Sequence, residues 1–195
     1  GKPRVVDASS DICGVPIEVS EHDVIYAGAQ KNLGPSGVTV VILSPWAAGR
    51  PGDGLPTMLD YRTHISKGSM FNTPNTSGIY VLDRVLAWME RNGGLEGAIQ
   101  RNRKKAETLY GLLDSSDFWR PHASKDSRSV MNVTWRLADE SLEGGFLAEA
   151  EENGMGGLRG HRSVGGIRAS IYNACPLESV EALAAFMSDF ESRHS

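Results

Sequence analysis

A chain of 195 residues is long enough to bury a substantial core, as one large domain or a domain and a half. At 40% hydrophobic and 23% charged residues, with a formal net charge of -4, it has the composition of a soluble globular protein and is too acidic for a typical nucleic-acid binder. No basic cluster exceeds "RNRKK" (Arg101 to Lys105), which reads as the solvated face of a helix.

The first expected element is a short buried strand at Val5-Val6-Asp7, with a carboxylate at its tip. A second strand covers Val24 to Tyr26, and a third is "VTVVIL", Val38 to Leu43, apolar on both faces. Continuous apolar runs of this kind suit α/β strands buried between two layers. Residues 45–57, "PWAAGRPGDGLPT", are rich in Pro and Gly and read as an exposed loop. "SGIYVLDRVLAWMERNGG" carries apolar residues at 79, 82, 85, 86 and 89, a helical stripe closed by a Gly pair suited to a C-cap. A second helix follows at about 95–113, with Leu95, Ile99, Ala106, Leu109 and Leu113 as its inner face.

Beyond this point the pattern changes. "SVMNVTWRLA" (129–138) alternates as a half-buried strand does, "SLEGGFLAEAEENG" is a helix weakened by glycines, and "IRASIYN" (167–173) is a further strand. "PLESVEALAAFMSDFESRH" closes the chain as an amphipathic helix, with Leu177, Val180, Leu183, Ala184 and Met187 on one stripe. The expectation is α/β in residues 1–92 and a small α+β domain in 93–195. Cys13 and Cys175 lack the spacing of a disulfide framework or a zinc site, so no metal is expected and a reducing cytosol is the default compartment. No apolar stretch has the length of a membrane span, and "GKPRVVDASS" has no signal-peptide core.

Two residues of the first domain invite a chemical reading. Lys31 lies in "AGAQKNLGPSG", a hinge of small residues between two apolar runs, with no acidic neighbour. Most lysines are exposed, but one that is desolvated loses its proton cheaply, and a neutral amine is what Schiff-base chemistry needs. Asp7, 24 residues upstream, is either a turn residue for "SSD" (Ser9 to Asp11) or a carboxylate held against a heterocyclic nitrogen. In enzymes using pyridoxal phosphate, such an acid pairs with the pyridine nitrogen while a lysine holds the aldehyde. "GHRSVGGIR" (160–168) is a glycine-rich cationic loop, either an anion site or an exposed turn.

"VVDASSDI", "VIYAGAQKNLGPSGVTVVI", "SMFNTPNT" and "GHRSVGGIRASIYNA" together resemble the phosphoserine aminotransferases, class-V enzymes of fold-type I that use pyridoxal phosphate in serine biosynthesis. The resemblance covers essentially the whole chain. Cysteine desulfurases share the Asp and Lys layout without these strings. The resemblance implies part of the large-domain sheet followed by the small C-terminal domain. It makes Lys31 the Schiff-base lysine and proton shuttle, Asp7 the partner of the pyridinium nitrogen and Gln30 a cofactor contact. Asn72 and Thr73 would reach the cofactor phosphate of a neighbouring subunit in a homodimer, although an N-cap for the following helix is an equally physical use of them. Arg168 would clamp the substrate α-carboxylate, and His161 and Arg162 would read the phosphate of phosphoserine or 3-phosphohydroxypyruvate. Glutamate and 2-oxoglutarate are the implied co-substrates.

Asn75 departs from the family pattern, which usually has a second proline there. Family members are about twice this length. The part not matched here normally supplies the ring stacked on the cofactor, a glycine-rich phosphate turn, a threonine and a further arginine. None of Trp46, Trp88, Trp119 and Trp135 is placed to act as that ring. Without those strands a buried sheet edge would be exposed, so the chain is expected either to have the other half on another polypeptide or to be a truncated, non-catalytic fragment.

Overall fold

Strand-forming residues gather into two separate sheets in the computed structural model, which describes residues 2–195; Gly1, at the start of the expected first domain, lies outside them. The chain divides into two units, one ending at Leu95 and the other spanning Glu96–Ser195.

In the first unit β1 (Val5–Asp7), β2 (Val24–Gly28) and β3 (Thr39–Leu43) form a sheet in that order. β1 runs parallel to β2 with Asp7 opposite Tyr26, and β2 runs antiparallel to β3 from Val24–Leu43 to Gly28–Thr39. The buried nucleus is small: Ala8, Ile25 and Ala27, with Val6, Ile12 and Ile17 packed around them. β1 and β3 were expected to be buried; instead Val5, Asp7, Val41 and Ile42 are exposed, and Val6, Val40 and Leu43 are only half-buried. An apolar run reports what a strand is able to bury, not what covers it.

Residues 45–57 are not wholly loop. Ser44 caps a single turn, α1 (Pro45–Ala48), by accepting from Ala47 N–H, and α2 (Tyr61–Ser66) begins behind Asp60, whose carboxylate accepts from Arg62 N–H. α3 (Thr76–Arg91) follows the expected helix, but only part of its stripe is inward: Met89 is buried and Leu82 and Val85 half-buried, whereas Ile79 and Leu86 are exposed.

The second unit contains most of α4 (Gly94–Leu113), then β4 (Trp119–Pro121), β5 (Asn132–Leu137), α5 (Glu143–Glu152), β6 (Ile167–Ser170) and α6 (Leu177–His194). Its antiparallel sheet has the order β4-β5-β6. Val133, Trp135 and Leu137 alternate inward along β5 and meet Phe146 of α5 and Met187 and Phe190 of α6. The Phe146 ring has edge contacts with Trp119, Trp135 and Phe190, at 5.8, 6.4 and 5.2 Å between centroids. β4 has no counterpart in the sequence expectation; its three residues, one of them Pro121, are too few to make a periodic signal. Leu95, expected on the inner face of α4, is exposed, while Ile99, Ala106, Leu109 and Leu113 are buried as the spacing implies.

"RNRKK" is only in part a solvated face: Arg101, Arg103 and Lys104 are exposed. Asn102 and Lys105 are both buried, and Lys105 Nζ donates to the carbonyls of Ile171, Tyr172 and Cys175 at 2.9, 2.8 and 3.0 Å. Burial pushes the Lys105 ammonium below its ordinary pKa, and three carbonyl dipoles support it in that place. The group thus closes the turn between β6 and α6.

Candidate active site

The strand ends of the first unit bring together Asp7, Gln30 and Lys31. β1 finishes at Asp7 and β2 at Gly28, and the register places Asp7 beside Tyr26. Ala29 then opens a tight turn, accepting from the N–H groups of Leu33 and Gly34, and Lys31 rides on that turn.

Asp7 is held by the residue two places on. Ser9 N–H and Ser9 Oγ both donate to Asp7 Oδ1, at 2.9 and 2.5 Å. These bonds, with smaller help from Tyr26 and the Lys31 charge, keep the carboxyl below the usual carboxylate range. In return the Asp7 charge pushes the Tyr26 hydroxyl up. Ser9 Oγ also accepts from Gly28 N–H at 3.0 Å, so the serine bridges both strand ends. The turn reading of "SSD" and the carboxylate reading of Asp7 are therefore compatible: the turn aims the acid.

Lys31 is half-buried, and its Nζ donates to Ser10 Oγ at 2.6 Å. Buried Asn32 donates its amide to the carbonyls of Ser10 and Ile12, at 3.1 and 3.0 Å, and so ties the lysine turn to the serine segment. The exposed Gln30 side chain folds back over Gly28, where a Cβ would stand only 2.5 Å from Gln30 Oε1.

Asn72 and Thr73 precede α3 and are exposed, and Asn72 Nδ2 donates to the Thr73 carbonyl at 3.3 Å. Neither caps the helix. Asn75 does so, accepting from Gly78 N–H at 3.1 Å and donating to the Gly37 carbonyl at 3.3 Å. The residue that departs from the family's proline thus has its own structural task.

His161, Arg162 and Arg168 belong to the second unit. Gly160 and Gly165 close the cationic loop: a Cβ on Gly160 would meet the Gly165 carbonyl oxygen at 2.0 Å, and Gly165 has a φ of +76°. Arg136 of β5 donates to the Val164 carbonyl at 2.7 Å while its other nitrogen pairs with Glu140 at 2.8 Å, anchoring the loop. His161 and Arg162 are exposed at its tip, with His161 Nδ1 at 2.7 Å from Ser163 Oγ. Arg168 lies on β6 opposite Thr134, and its Nε is buried with no hydrogen-bond partner. An orphaned guanidinium nitrogen in a half-buried position is suited to an anion.

Ser9, Ser10, Asn32 and Arg136 carry much of this geometry; the sequence reading had the two serines only as turn residues and did not single out Asn32 or Arg136. The available signal was the "SS" pair two residues after Asp7, which reads as a turn. Cys13 and Cys175 are half-buried thiols. Among the described residues no helix is long and apolar enough to cross a membrane, and no group of three or more His, Cys, Asp or Glu is placed to hold a metal ion.

Comparison with known proteins places these residues among relatives. The family model for class-V aminotransferases matches residues 3–183. The chain is 59% identical over 190 residues to a phosphoserine aminotransferase of Geobacillus kaustophilus, covering 97% of this chain and 53% of that one. It is 54% identical over 193 residues to the enzyme of that name from Lysinibacillus sphaericus, covering 98% and 53%. The solved phosphoserine aminotransferase of Bacillus circulans subsp. alkalophilus superposes with a TM-score of 0.95 at 51% identity, over 99% of this chain and 54% of that one. A pyridoxal-phosphate-bound phosphoserine aminotransferase from Trichomonas vaginalis gives 0.88 at 34% identity, over 95% and 53%. The chain spans about half the length of the curated relatives it matches.

Proposed function

Because this chain belongs to the class-V aminotransferase family, we propose that it is the C-terminal half of a phosphoserine:2-oxoglutarate aminotransferase acting in serine biosynthesis. The observation that carries the reading is the pairing, at adjacent strand ends, of a hydrogen-bonded carboxylate with a half-buried lysine amine.

The residues present fit pyridoxal phosphate. Asp7, kept ionised by two donors on Oδ1, is the acceptor that a protonated ring nitrogen requires. Lys31 supplies the amine that holds the aldehyde, and Gln30 lies beside it. Asn72 and Thr73 offer amide and hydroxyl donors for the phosphate of a partner subunit's cofactor in a homodimer. When bound, the cofactor supplies an electron sink for charge at the amino-acid α-carbon. Lys31 would take the proton that leaves the amino-acid α-carbon, and Ser10, which accepts from its Nζ, would keep the amine aimed. Arg168 binds the α-carboxylate with the fork that includes the orphaned Nε, and His161 and Arg162 select phosphorylated substrates over serine.

In this reading the first unit is part of the cofactor-binding large domain, the second is the small C-terminal domain, and the compartment is the cytoplasm. Glutamate and 2-oxoglutarate are the amino donor and its product, with 3-phosphohydroxypyruvate and phosphoserine as the other pair. The exposed strand β3 supports a need for the other half of the family's length before catalysis occurs. In the complete protein, Lys31→Ala should lower transamination by roughly a hundredfold to ten-thousandfold and remove the visible absorption of bound cofactor. An unchanged rate and spectrum in that variant would exclude this role.

A further inference from the structure

Two adjacent serines each hold a different member of the site. Ser9 Oγ accepts from Gly28 N–H at 3.0 Å, which fixes one side of its oxygen and turns its own hydrogen toward Asp7 Oδ1, 2.5 Å away. Ser9 N–H reaches the same oxygen at 2.9 Å. Oδ1 is thus occupied twice by one residue, which directs further partners to Oδ2. One position on, Ser10 Oγ accepts from Lys31 Nζ at 2.6 Å. The two hydroxyls are held in register by Asn32, whose buried amide bonds the carbonyls of Ser10 and Ile12.

The geometry assigns Ser9 and Ser10 as a tandem pair of positioning residues, Ser9 for the Asp7 carboxylate and Ser10 for the Lys31 amine. The assignment deepens the aminotransferase reading and rests on it for its functional consequence. Adjacent positions are what this needs: in the turn following β1, one hydroxyl faces back to Asp7 and the β2 end while the next faces the lysine turn. A sequence with one serine here holds the acid or the amine, not both. Charged groups around Asp7 are few: Lys31 is the cation that acts on it, and the Tyr26 hydroxyl is a further hydrogen-bond donor.

The test compares Ser9→Ala, Ser9→Thr, Ser10→Ala and Ser10→Thr in the complete protein. Ser9→Ala removes a bond to a charged acceptor and should weaken pyridoxal phosphate binding to the apoprotein by about tenfold or more, with Ser9→Thr restoring it. In cofactor-free protein the Asp7 carboxyl, followed by carbon NMR, should titrate at higher pH in Ser9→Ala than in wild type. Ser10→Ala should slow capture of pyridoxal phosphate by about tenfold and lower kcat with both KM values unchanged, and Ser10→Thr should recover both. Wild-type behaviour of both alanine variants in all these measurements overturns the assignment. Wild-type protein that takes up no pyridoxal phosphate overturns the functional reading, and the Asp7 titration, measured without cofactor, then still decides the Ser9 assignment.

Discussion

The two units of this chain use similar apolar content to opposite ends. The second closes a core: Trp119, Trp135, Phe146, Met187 and Phe190 are all essentially inaccessible, and Val164 is the large hydrophobic exposed among its described residues. The first buries Ala8, Ile25, Ala27, Ala29, Leu33 and Met89 but exposes Leu59, Met70 and Tyr80 at 67%, 65% and 63%, together with Ile65, Phe71, Ile79 and Trp88. Monomeric proteins rarely leave so much apolar surface open, and where they do it marks a surface that another segment or chain covers. The lesson is that the residues read as the chemical centre, Asp7 and Lys31, lie on the unit least able to sustain itself. The second unit, with the cationic loop, has its own hydrophobic core.

The comparison is broken or upheld most directly by cutting the chain. Residues 94–195, expressed alone, should unfold in urea with one cooperative transition, since this segment contains its own core cluster. Residues 2–93 alone should show no cooperative transition and should bind a hydrophobic dye. Cooperative unfolding of the shorter piece, or its absence in the longer, would reverse the contrast.

A matched pair of substitutions gives a smaller effect of the same kind. Phe146→Ala removes the ring at the centre of the aromatic cluster and should cost about 4 kcal/mol in urea denaturation of the 195-residue chain. Tyr80→Ala, on an exposed helical face, should change the same transition by less than about 0.5 kcal/mol. A large cost at Tyr80 would mean that the first unit has a core beyond the small one described.

Much of this was legible from periodicity. Alternation marked 129–138 as a half-buried strand, in which the structure turns Val133, Trp135 and Leu137 inward, and the 3.6-residue repeat found α3, α4 and α6. What escaped did so for physical reasons. Lys105 reads as solvated because charge in a basic run normally is, and only the three converging carbonyls reveal it as a structural bolt. β3 reads as buried because its side chains are apolar, whereas burial depends on a neighbour that the strand itself does not encode. Asp7 and Lys31 stood out first by position, an acid at a strand tip and a lone cation in a small-residue hinge, and the motif resemblance then gave them roles. The serines that aim them did not stand out, since Ser9 and Ser10 look like any turn pair until each hydroxyl is traced to its partner.

A modest, pH-dependent effect lies on the surface of the closed unit. Arg128 donates twice to Asp114, at 2.7 and 2.6 Å, its guanidinium lies 4.4 Å above the Tyr110 ring, and Lys125 stands 3.7 Å away. The Arg128 hydrogen bonds hold the Asp114 carboxyl below its ordinary value of 3.8. A carboxylate depressed on folding binds its proton more weakly in the native state, so its contribution is fully present above the unfolded pKa. It fades as pH falls below about 3.8 through the lower folded value. For a partly exposed bidentate pair that contribution is about 1 kcal/mol. Asp114→Asn should therefore lower stability by about that amount at pH 7 and by progressively less on acidification, the two urea curves converging in acid. Parallel curves down to the acid limit would show that the pair gives this unit a fixed geometry without net stabilisation, leaving its solidity to the aromatic core alone.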